Sequence, residues 1–259
     1  MPRVRQDDLT QKRRGALPRR RGRLRPWRFL AVVLVLLVLG GSLWATAYAL
    51  SMQARVAALP TLVRARLRAH GDGAYVPYDR LPPFLVQALV ATEDRTFWTN
   101  SGISFRGIAR AAIVDAIHLS FLEGASTIQQ QIARDIYLTP RKTIVRKLEG
   151  TVLALVITHD FPRREILALY LNEVYLGQNA YGVARAARIY FGVSPEALTP
   201  AQCAVLAGLP QAPSAYDPLT DLDGAKARQQ AVLASMVAVG DITKARARAL
   251  ARAPLGLAH

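Results

Sequence analysis

The stretch Ala91-Thr92-Glu93-Asp94-Arg95-Thr96-Phe97-Trp98 places two carboxylates and a cation at the end of an apolar segment. Two prolines upstream are typical of a helix start, and Leu85, Leu89 and Glu93 then follow at intervals of four residues. Glu93 therefore continues a stripe that would face a core. Burial there would raise the pKa of its carboxyl towards the range of a general base, whereas Arg95 nearby would lower it. The spacing alone also fits a helix that ends in solvated charges.

The region upstream of this stretch is divided sharply by charge. Residues 1–28 hold eleven Lys or Arg against two Asp, which is nine of the sixteen net positive charges of the 259-residue chain. Such a basic tail could bind nucleic acid, but the next segment argues against it. Phe29–Ala54 has no charged residue, and the strongly apolar Phe29–Leu50 exceeds the ~20 residues that cross a bilayer. We predict a basic cytoplasmic tail (1–28), a single transmembrane helix (29–50) and a juxtamembrane linker (51–74).

The orientation of this helix follows from the arginines before it, which no cluster matches just after it. This asymmetry predicts a single-pass membrane protein with its N-terminus in the cytoplasm and the bulk of the chain outside. A cleaved signal peptide is the alternative, since Ala45-Thr46-Ala47 resembles a cleavage site, but the apolar run exceeds the ~7–15 residues of a signal core.

Disulfide and side-chain metal chemistry are not expected in this sequence. Cys203 is the one cysteine of the chain, so no intrachain disulfide can form. The four histidines are dispersed, without metal-ligand spacing among themselves or with Cys203. We therefore predict no metal site built from protein side chains.

Downstream of the opening stretch, helical periodicity dominates and no convincing strand pairs occur. The predicted segments are Phe105–Phe121, a helix starting near Ser126, Thr151–Thr158, a helix that starts at about Pro162 and is closed by Gly177, Val183–Tyr190, Thr199–Gly208 and Lys226–Val239. This pattern predicts an all-α domain over residues 75–240 and a C-terminal tail over 241–259. We expect Glu173 to be a structural carboxylate, hydrogen-bonded near the turn Asn179–Gly182.

The helix predicted after Gly124-Ala125 has the features of an anion site. Ser126 and Gln129 have the spacing of a capping box, so the backbone N–H groups of the first turn would face the preceding loop and attract anions. Five cations follow within a short distance: Arg134, Arg141, Lys142, Arg146 and Lys147. They would complete a phosphate or diphosphate site, or they would form an ordinary solvated basic face.

Four blocks of sequence, taken in this order, resemble the peptidoglycan glycosyltransferases of glycosyltransferase family 51. This family includes monofunctional transglycosylases and the module of bifunctional penicillin-binding proteins. The blocks are Glu93–Phe97, Gly124–Arg134, Ile166–Gly177 and Gly208–Pro218. Each block alone is weak evidence, but together they are specific. The resemblance covers roughly Tyr75 to Val239.

The resemblance implies a lysozyme-like, two-lobed helical fold with a long groove, lying on the outer leaflet behind the transmembrane helix. Its substrates would be lipid II and the growing glycan, both carried on undecaprenyl diphosphate, and cell-wall synthesis or division proteins would be its partners. Glu93 matches the general base, which takes the proton from the 4-hydroxyl of the acceptor N-acetylglucosamine. That oxygen attacks the anomeric carbon of the donor N-acetylmuramic acid with inversion.

The same resemblance assigns the residues around the leaving diphosphate. Arg134 matches a family cation that stabilises the developing charge. The complete implied binding set is Ser126, Thr127, Gln130, Gln131, Arg134, Lys142, Arg146 and Lys147. The sequence leaves two alternatives open, namely a diphosphate bound by these side chains alone or one bound together with a divalent cation, Mg²⁺ or Mn²⁺.

The chain departs from the family pattern at four positions. Asn100 stands where histidine is usual, Gln129 where threonine is usual, and Asp135 where asparagine is usual. Gly150 stands at the place of the second family carboxylate, and Glu149 is one position early, about 100° round a helix. These departures support an alternative hypothesis, a catalytically impaired homologue that binds lipid II or cell-wall partners without polymerising.

Two further activities are disfavoured by the sequence. A lysozyme-like hydrolase would share the fold and a glutamate, but it needs neither the cation Arg134 nor a membrane anchor. Transpeptidation requires Ser-x-x-Lys and Lys-Thr-Gly motifs, and neither occurs in this sequence. The pattern is that of a monofunctional transglycosylase or of a fragment of a longer protein.

Overall fold

The computed structural model describes residues 26–71, 74–104, 107, 126–140 and 143–258. The basic tail up to residue 25, the predicted helix Phe105–Phe121 apart from Gly107, and the candidate residue Lys142 lie outside the described residues. The chain divides into two compact units, one ending at Trp44 and the other beginning at Ala45.

Ten α-helices account for most of the described residues. They are α1 Pro26–Ala57, α2 Leu59–Ala69, α3 Pro83–Glu93, α4 Ile128–Tyr137, α5 Ile144–Asp160, α6 Arg163–Glu173, α7 Val183–Phe191, α8 Pro200–Gly208, α9 Leu222–Val239 and α10 Lys244–Arg252. Three short 3₁₀ turns, Tyr78–Arg80, Pro195–Ala197 and Leu209–Gln211, join some of them. The described part of the chain contains no strand, only one isolated bridge between Tyr175 and Tyr181. The prediction of an all-α protein is confirmed.

The N-terminal unit contains the first part of α1. Its large apolar side chains are exposed, as Leu30 and Leu37 illustrate. The helical segment Trp27–Ala57 is 31 residues long and contains an 18-residue stretch with a mean hydropathy of 2.4, so it is long and apolar enough to cross a membrane. The predicted transmembrane segment 29–50 lies within it.

The second unit has one continuous apolar core. Helix α3 packs against α8 and α9, while α4 packs against α5, and α6 contacts α2, α4, α5 and α7. The C-terminal end of α1 also contributes to this core, since its Met52 and Val56 are buried there. Helices α3 and α4 both belong to this core and are joined by a hydrogen bond between Glu93 and Gln131, which lies in the site described below.

The second unit includes helices on both sides of residues 75–240. The predicted linker 51–74 contains α2, whose Leu59, Val63 and Leu67 are buried against the core. These residues recur at intervals of four, the spacing of one helix face, so this segment packs rather than links. The predicted tail 241–259 contains α10, and Leu250 and Leu255 are buried.

The helix near Ser126 begins one residue later than the sequence indicates. The capping box of α4 is made by Thr127 and Gln130: Thr127 Oγ1 accepts from the N–H of Gln130 at 3.2 Å, and Gln130 Oε1 accepts from the N–H of Thr127 at 3.0 Å. Ser126 and Gln129 have the same spacing but do not form the box. The reason is that Gln129 is buried and turned inward, where it donates to Asn100.

Candidate active site

Glu93 is the last residue of α3, and the two preceding residues of its stripe, Leu85 and Leu89, are fully buried. Its side chain is 13% exposed, so the carboxylate reaches the surface only at its tip. Glu93 Oε2 accepts a hydrogen bond from Gln131 Nε2 at 2.9 Å. Gln131 Oε1 in turn accepts from the buried hydroxyl of Tyr170 at 2.9 Å. The carboxylate is therefore held in one orientation by a buried chain of hydrogen bonds.

Burial raises the pKa of Glu93 above the ordinary value of a glutamate. The hydrogen bond from Gln131 and the charges of Arg228 and Arg134 oppose this effect by favouring the carboxylate, while Asp94 adds to it. Burial is the largest of these contributions. The result is a desolvated carboxylate with a raised proton affinity, which suits a general base.

The cation beside Glu93 is Arg228 rather than Arg95. Arg228 Nη2 lies 3.9 Å from Glu93 Oε1, whereas the Nε of Arg95 donates to the carbonyl of Ala91 at 3.1 Å. Arg95 is not among the charges that act on Glu93 in the described part of the chain, so the expectation that it lowers this pKa is wrong. Arg228 is distant in sequence, and the packing of α9 on α3 brings it to Glu93.

Arg228 is the residue that sequence reasoning missed. It lies on α9, its Nε donates to the carbonyl of Gly208 at 3.0 Å, and its guanidinium covers the ring of Tyr216 at 5.6 Å. Both contacts fall in the fourth sequence block. The sequence feature that points to it is that Arg228 is the one arginine in the predicted helix Lys226–Val239.

The loop after Glu93 is closed by side-chain hydrogen bonds. Asp94 Oδ1 accepts from the N–H and the hydroxyl of Thr96 at 3.1 and 2.8 Å, and Asp94 Oδ2 accepts from Asn100 Nδ2 at 2.9 Å. Thr127 at the start of α4 donates from its hydroxyl to the carbonyl of Gly102 at 2.7 Å. The loop is thereby attached to the first turn of α4, which also brings Gln131 to Glu93.

The predicted diphosphate residues fall into two groups. Gln131 and Arg134 of α4 lie around Glu93, the first by direct contact and the second through its charge. Arg134 also pairs with Asp135, Nε to Oδ1 at 3.0 Å, and both side chains are exposed. Thr127 and Gln130 form the cap of α4, and Ser126 precedes it, half-buried.

The second group lies in the first turn of α5. Thr143 caps this helix by accepting the N–H of Arg146 at 3.1 Å, and Lys147 is exposed. The Nε of Arg146 is buried without a hydrogen-bond partner among the described residues. Neither Arg146 nor Lys147 is among the charges that act on Glu93.

The position of the second family carboxylate is occupied by a buried glycine. A Cβ placed on Gly150 would lie 3.3 Å from Cδ1 of Leu138, so this point of α5 faces the end of α4. Glu149 is half-buried and is close enough to interact electrostatically with Tyr48. It does not act on Glu93. The charge of Glu149 is thus not among those that set the pKa of Glu93.

Glu173 is a buried structural carboxylate, but its partner differs from the predicted one. It accepts from Nη1 of Arg66 on α2, and the same nitrogen donates to the carbonyl of Asp135 at 3.0 Å. The predicted contact with the turn Asn179–Gly182 is wrong, because α2 packs on α6 and presents Arg66 to it. Burial raises the pKa of Glu173, and the Arg66 contact opposes that rise.

Within the described part of the chain, no three His, Cys, Asp or Glu side chains lie close enough together to hold a metal ion. The single cysteine, Cys203, is buried, and burial raises the pKa of its thiol to about 12. The polar groups around Glu93 are instead amides and guanidinium groups. Their chemistry suits anionic or hydroxyl-bearing groups rather than a cation.

Sequence comparison relates this chain to known transglycosylases. Residues 61–237 match the sequence profile of the transglycosylase family. A protein of Cupriavidus necator whose name describes it as a transglycosylase is 41% identical over 220 residues, which covers 85% of this chain and 93% of that protein. Penicillin-binding protein 1A of Escherichia coli is 46% identical over 177 residues, covering 68% of this chain and 21% of that protein. A crystal structure of penicillin-binding protein 1A from Haemophilus influenzae covers 73% of this chain and 19% of the other, with a TM-score of 0.44 and 25% identity.

The chain is an all-helical protein with a desolvated carboxylate at a helix end, and it belongs to the transglycosylase family. It spans nearly the whole length of its Cupriavidus relative but about a fifth of the Escherichia coli penicillin-binding protein.

Proposed function

We propose that this protein is a peptidoglycan glycosyltransferase that polymerises lipid II into glycan strands and releases undecaprenyl diphosphate. The observation that carries the proposal is the setting of Glu93: a carboxylate desolvated at the end of α3, oriented by Gln131 and flanked by Arg228. Membership of the transglycosylase family supports glycosyl transfer as the reaction class. Cell-wall synthesis is the process in which such a reaction is used.

In this proposal Glu93 is the general base. Its carboxylate accepts the proton of the acceptor 4-hydroxyl as that oxygen bonds to the anomeric carbon of the donor, and the bond from that carbon to the diphosphate oxygen breaks. Charge moves onto the leaving diphosphate, where Arg134 is the candidate stabilising cation. Ser126, Thr127, Gln130, Lys142, Arg146 and Lys147 complete the proposed binding set.

Replacing Glu93 by glutamine tests the base directly. Glu93→Gln keeps the volume and most of the hydrogen-bonding capacity of the side chain but cannot accept the proton. We expect turnover of labelled lipid II by the detergent-solubilised protein to fall by about 10²–10⁴-fold, with lipid II binding retained. Gel separation of the glycan products measures the change.

Glu173→Gln is the matched control, because Glu173 is also a buried glutamate at a helix end. It is expected to weaken the contact with Arg66 and lower the melting temperature, while turnover per folded molecule stays within a few-fold of wild type. Arg66 is 43% exposed, so the loss is expected at the lower end of the range of about 1–3 kcal/mol for a charged hydrogen bond. Near-native turnover of Glu93→Gln, or a dead but well-folded Glu173→Gln, would overturn the assignment.

A second candidate function is lipid II binding without polymerisation. The observation that favours it is Gly150, a buried position facing Leu138 where the family pattern has a carboxylate, while the charge of Glu149 is not among those that act on Glu93. A wild-type protein that binds lipid II but forms no glycan supports this candidate. Gain of polymerisation in Gly150→Glu would then identify the missing carboxylate as the cause.

We also propose that the N-terminus is cytoplasmic and that the second unit lies outside the cytoplasmic membrane, at the leaflet that holds lipid II. The excess of arginine before the apolar helix supports this orientation. External protease added to cells with a permeabilised outer envelope should digest the second unit and leave an N-terminal epitope intact. Digestion of the N-terminal epitope with the second unit left intact would show that the orientation is the opposite of the one proposed.

A further inference from the structure

Asn100 is the centre of a buried polar cluster next to the candidate base. Its Nδ2 donates to Asp94 Oδ2 at 2.9 Å and to Thr96 Oγ1 at 3.2 Å. Its Oδ1 accepts from the N–H of Gly102 at 2.9 Å and from Gln129 Nε2 at 3.2 Å. Both ends of the carboxamide are therefore used, and one of these bonds crosses from the loop to α4.

Gln129 lies in the first turn of α4 and is fully buried. Its Nε2 donates to Asn100, while its Oε1 has no hydrogen-bond partner among the described residues. A buried amide oxygen left without a partner costs about 1–3 kcal/mol. Gln129 is therefore a buried polar side chain that costs stability at its Oε1, and its hydrogen bond to Asn100 is the contact that offsets this cost.

Arg163, the first residue of α6, reinforces the cluster from a third side. Its guanidinium donates to the backbone carbonyl of Asn100 and, at 3.3 Å, to Asn100 Oδ1. It also covers the ring of Phe97 at 5.5 Å. Asn100 is consequently fixed by its own loop, by α4 and by α6 together.

Asn100 and Gln129 are both departures from the family pattern, in which histidine and threonine are usual. Although they are far apart in sequence, their side chains meet in one hydrogen bond. In this chain the two departures therefore form one contact, which links the loop to α4.

This link bears on Glu93 from two directions. Asp94, which Asn100 holds, directly follows Glu93 as the C-terminal cap of α3. Gln131, which donates to Glu93, lies two residues after Gln129 on α4. We propose that Asn100 and Gln129 form a coupled pair of positioning residues that keeps Glu93 against Gln131, an inference that rests on the proposed function of Glu93 as the base.

A double-mutant cycle in the full-length, detergent-solubilised protein tests the coupling. Gln129→Ala is expected to lower kcat on lipid II by roughly 10- to 100-fold, with little change in KM, because displacement of a catalytic group by about 1 Å has effects of this size. In the Asn100→Ala background the same substitution is expected to change kcat less than twofold, since the bond is already absent. Independent effects that multiply in the double variant would overturn the proposal.

A second measurement reports on position without using turnover. The pKa of the Glu93 carboxyl, followed by carbon NMR with Glu93→Gln as the assignment control, is expected to rise in Gln129→Ala, because the hydrogen bond from Gln131 that lowers it is weakened. An unchanged Glu93 titration in both single variants contradicts the proposal. If the wild-type protein is inactive but the Glu93 pKa still rises in Gln129→Ala, the proposed function is wrong and the coupled pair stands. If the wild-type protein is active but the two substitutions have independent effects, the coupled pair is wrong and the proposed function stands.

Asn172→Ala is the matched control for a purely structural loss. Asn172 is also a buried asparagine, and it bonds to the N–H and carbonyl of Val76 at 2.8 Å each and to the carbonyl of Ala168 at 2.7 Å. It is expected to lower the melting temperature without moving the Glu93 titration. The variant Asn100→His/Gln129→Thr carries the usual family pair and is expected to recover most of the kcat lost in either of its single variants. If Asn100→His and Gln129→Thr are each folded but impaired, and the double variant recovers no kcat, the result counts against a coupled pair.

Discussion

At the scale of single residues, Glu93 has a setting that favours reactivity over stability. Because burial raises its pKa in the fold, the native state binds this proton more readily than the unfolded chain does. The stability of the protein therefore falls as pH rises from the ordinary glutamate range through the raised pKa. Glu93→Gln has no such group, so its unfolding free energy should depend less on pH in that window.

Arg228 is expected to set the pH at which this base becomes active. Its positive charge lowers the pKa of Glu93, so Arg228→Met should raise that pKa and move the acid limb of the kcat/KM profile to higher pH. The variant also loses the bond to the carbonyl of Gly208, so we expect it to be destabilised by about 1–3 kcal/mol. A pH profile per folded molecule separates the two effects.

Arg95→Met is the control, since Arg95 lies two residues from Glu93 in sequence but does not act on it. The acid limb of its kcat/KM profile against pH should coincide with that of the wild type. If removal of Arg95 rather than Arg228 moves the limb, the electrostatic assignment made from the structure is wrong.

At the scale of secondary-structure elements, one amine of α9 binds the C-terminal end of α10 in addition to the apolar contacts of Leu250. Lys226 on α9 donates from Nζ to the carbonyls of Ala251 and Ala253, both at 3.1 Å, and to Gln229 Oε1 at 3.3 Å. These carbonyls end α10, where backbone acceptors lack helical partners. The amine thus caps α10 and joins it to α9, and burial lowers the pKa of Lys226.

Lys226→Met should release α10 while the rest of the unit stays folded. Loss of a charged donor to two carbonyls is expected to lower the free energy of local unfolding of α10 by about 1–3 kcal/mol. We therefore expect faster amide hydrogen exchange in Lys244–Arg252. Lys244→Met, at an exposed position of the same helix, should leave exchange unchanged. Equal exchange in the two variants would show that Leu250 and Leu255 alone hold the helix.

At the scale of the whole molecule, α1 serves both units. Its apolar residues up to Trp44 have the length and composition of a membrane span, whereas Met52 and Val56 further along are buried in the core of the second unit. Tyr137 contributes a further contact, since its hydroxyl donates to the carbonyl of Arg55 at 3.1 Å. The end of this helix is therefore part of the folded domain.

Truncation should separate these roles. A chain that begins at Ala45 is expected to melt within a few degrees of the full-length protein. A chain that begins at Ala58 loses the burial of Met52 and Val56, about 1.5–3 kcal/mol for each side chain, and should melt well below it. Calorimetry of both chains in the same detergent measures this. Equal melting temperatures would mean that the end of α1 is dispensable.

The sequence by itself determined the features that depend on local periodicity and composition. The apolar run after the basic tail predicts the helix of a membrane span, and the four-residue spacing of Leu85, Leu89 and Glu93 predicts a carboxylate at a buried helix end. These patterns are readable because side chains three or four residues apart must share one helix face whatever the rest of the chain does.

Only the tertiary structure decided which residues surround that carboxylate. Arg228 replaces Arg95 as the neighbouring cation, Arg66 replaces the predicted turn as the partner of Glu173, and Asn100 bonds to Gln129. The capping residue, Thr127 rather than Ser126, was equally undecided, because two overlapping boxes had the same spacing. Each of these outcomes depends on how distant helices pack, and spacing along a chain carries no information on which distant side chain fills the space beside a buried charge.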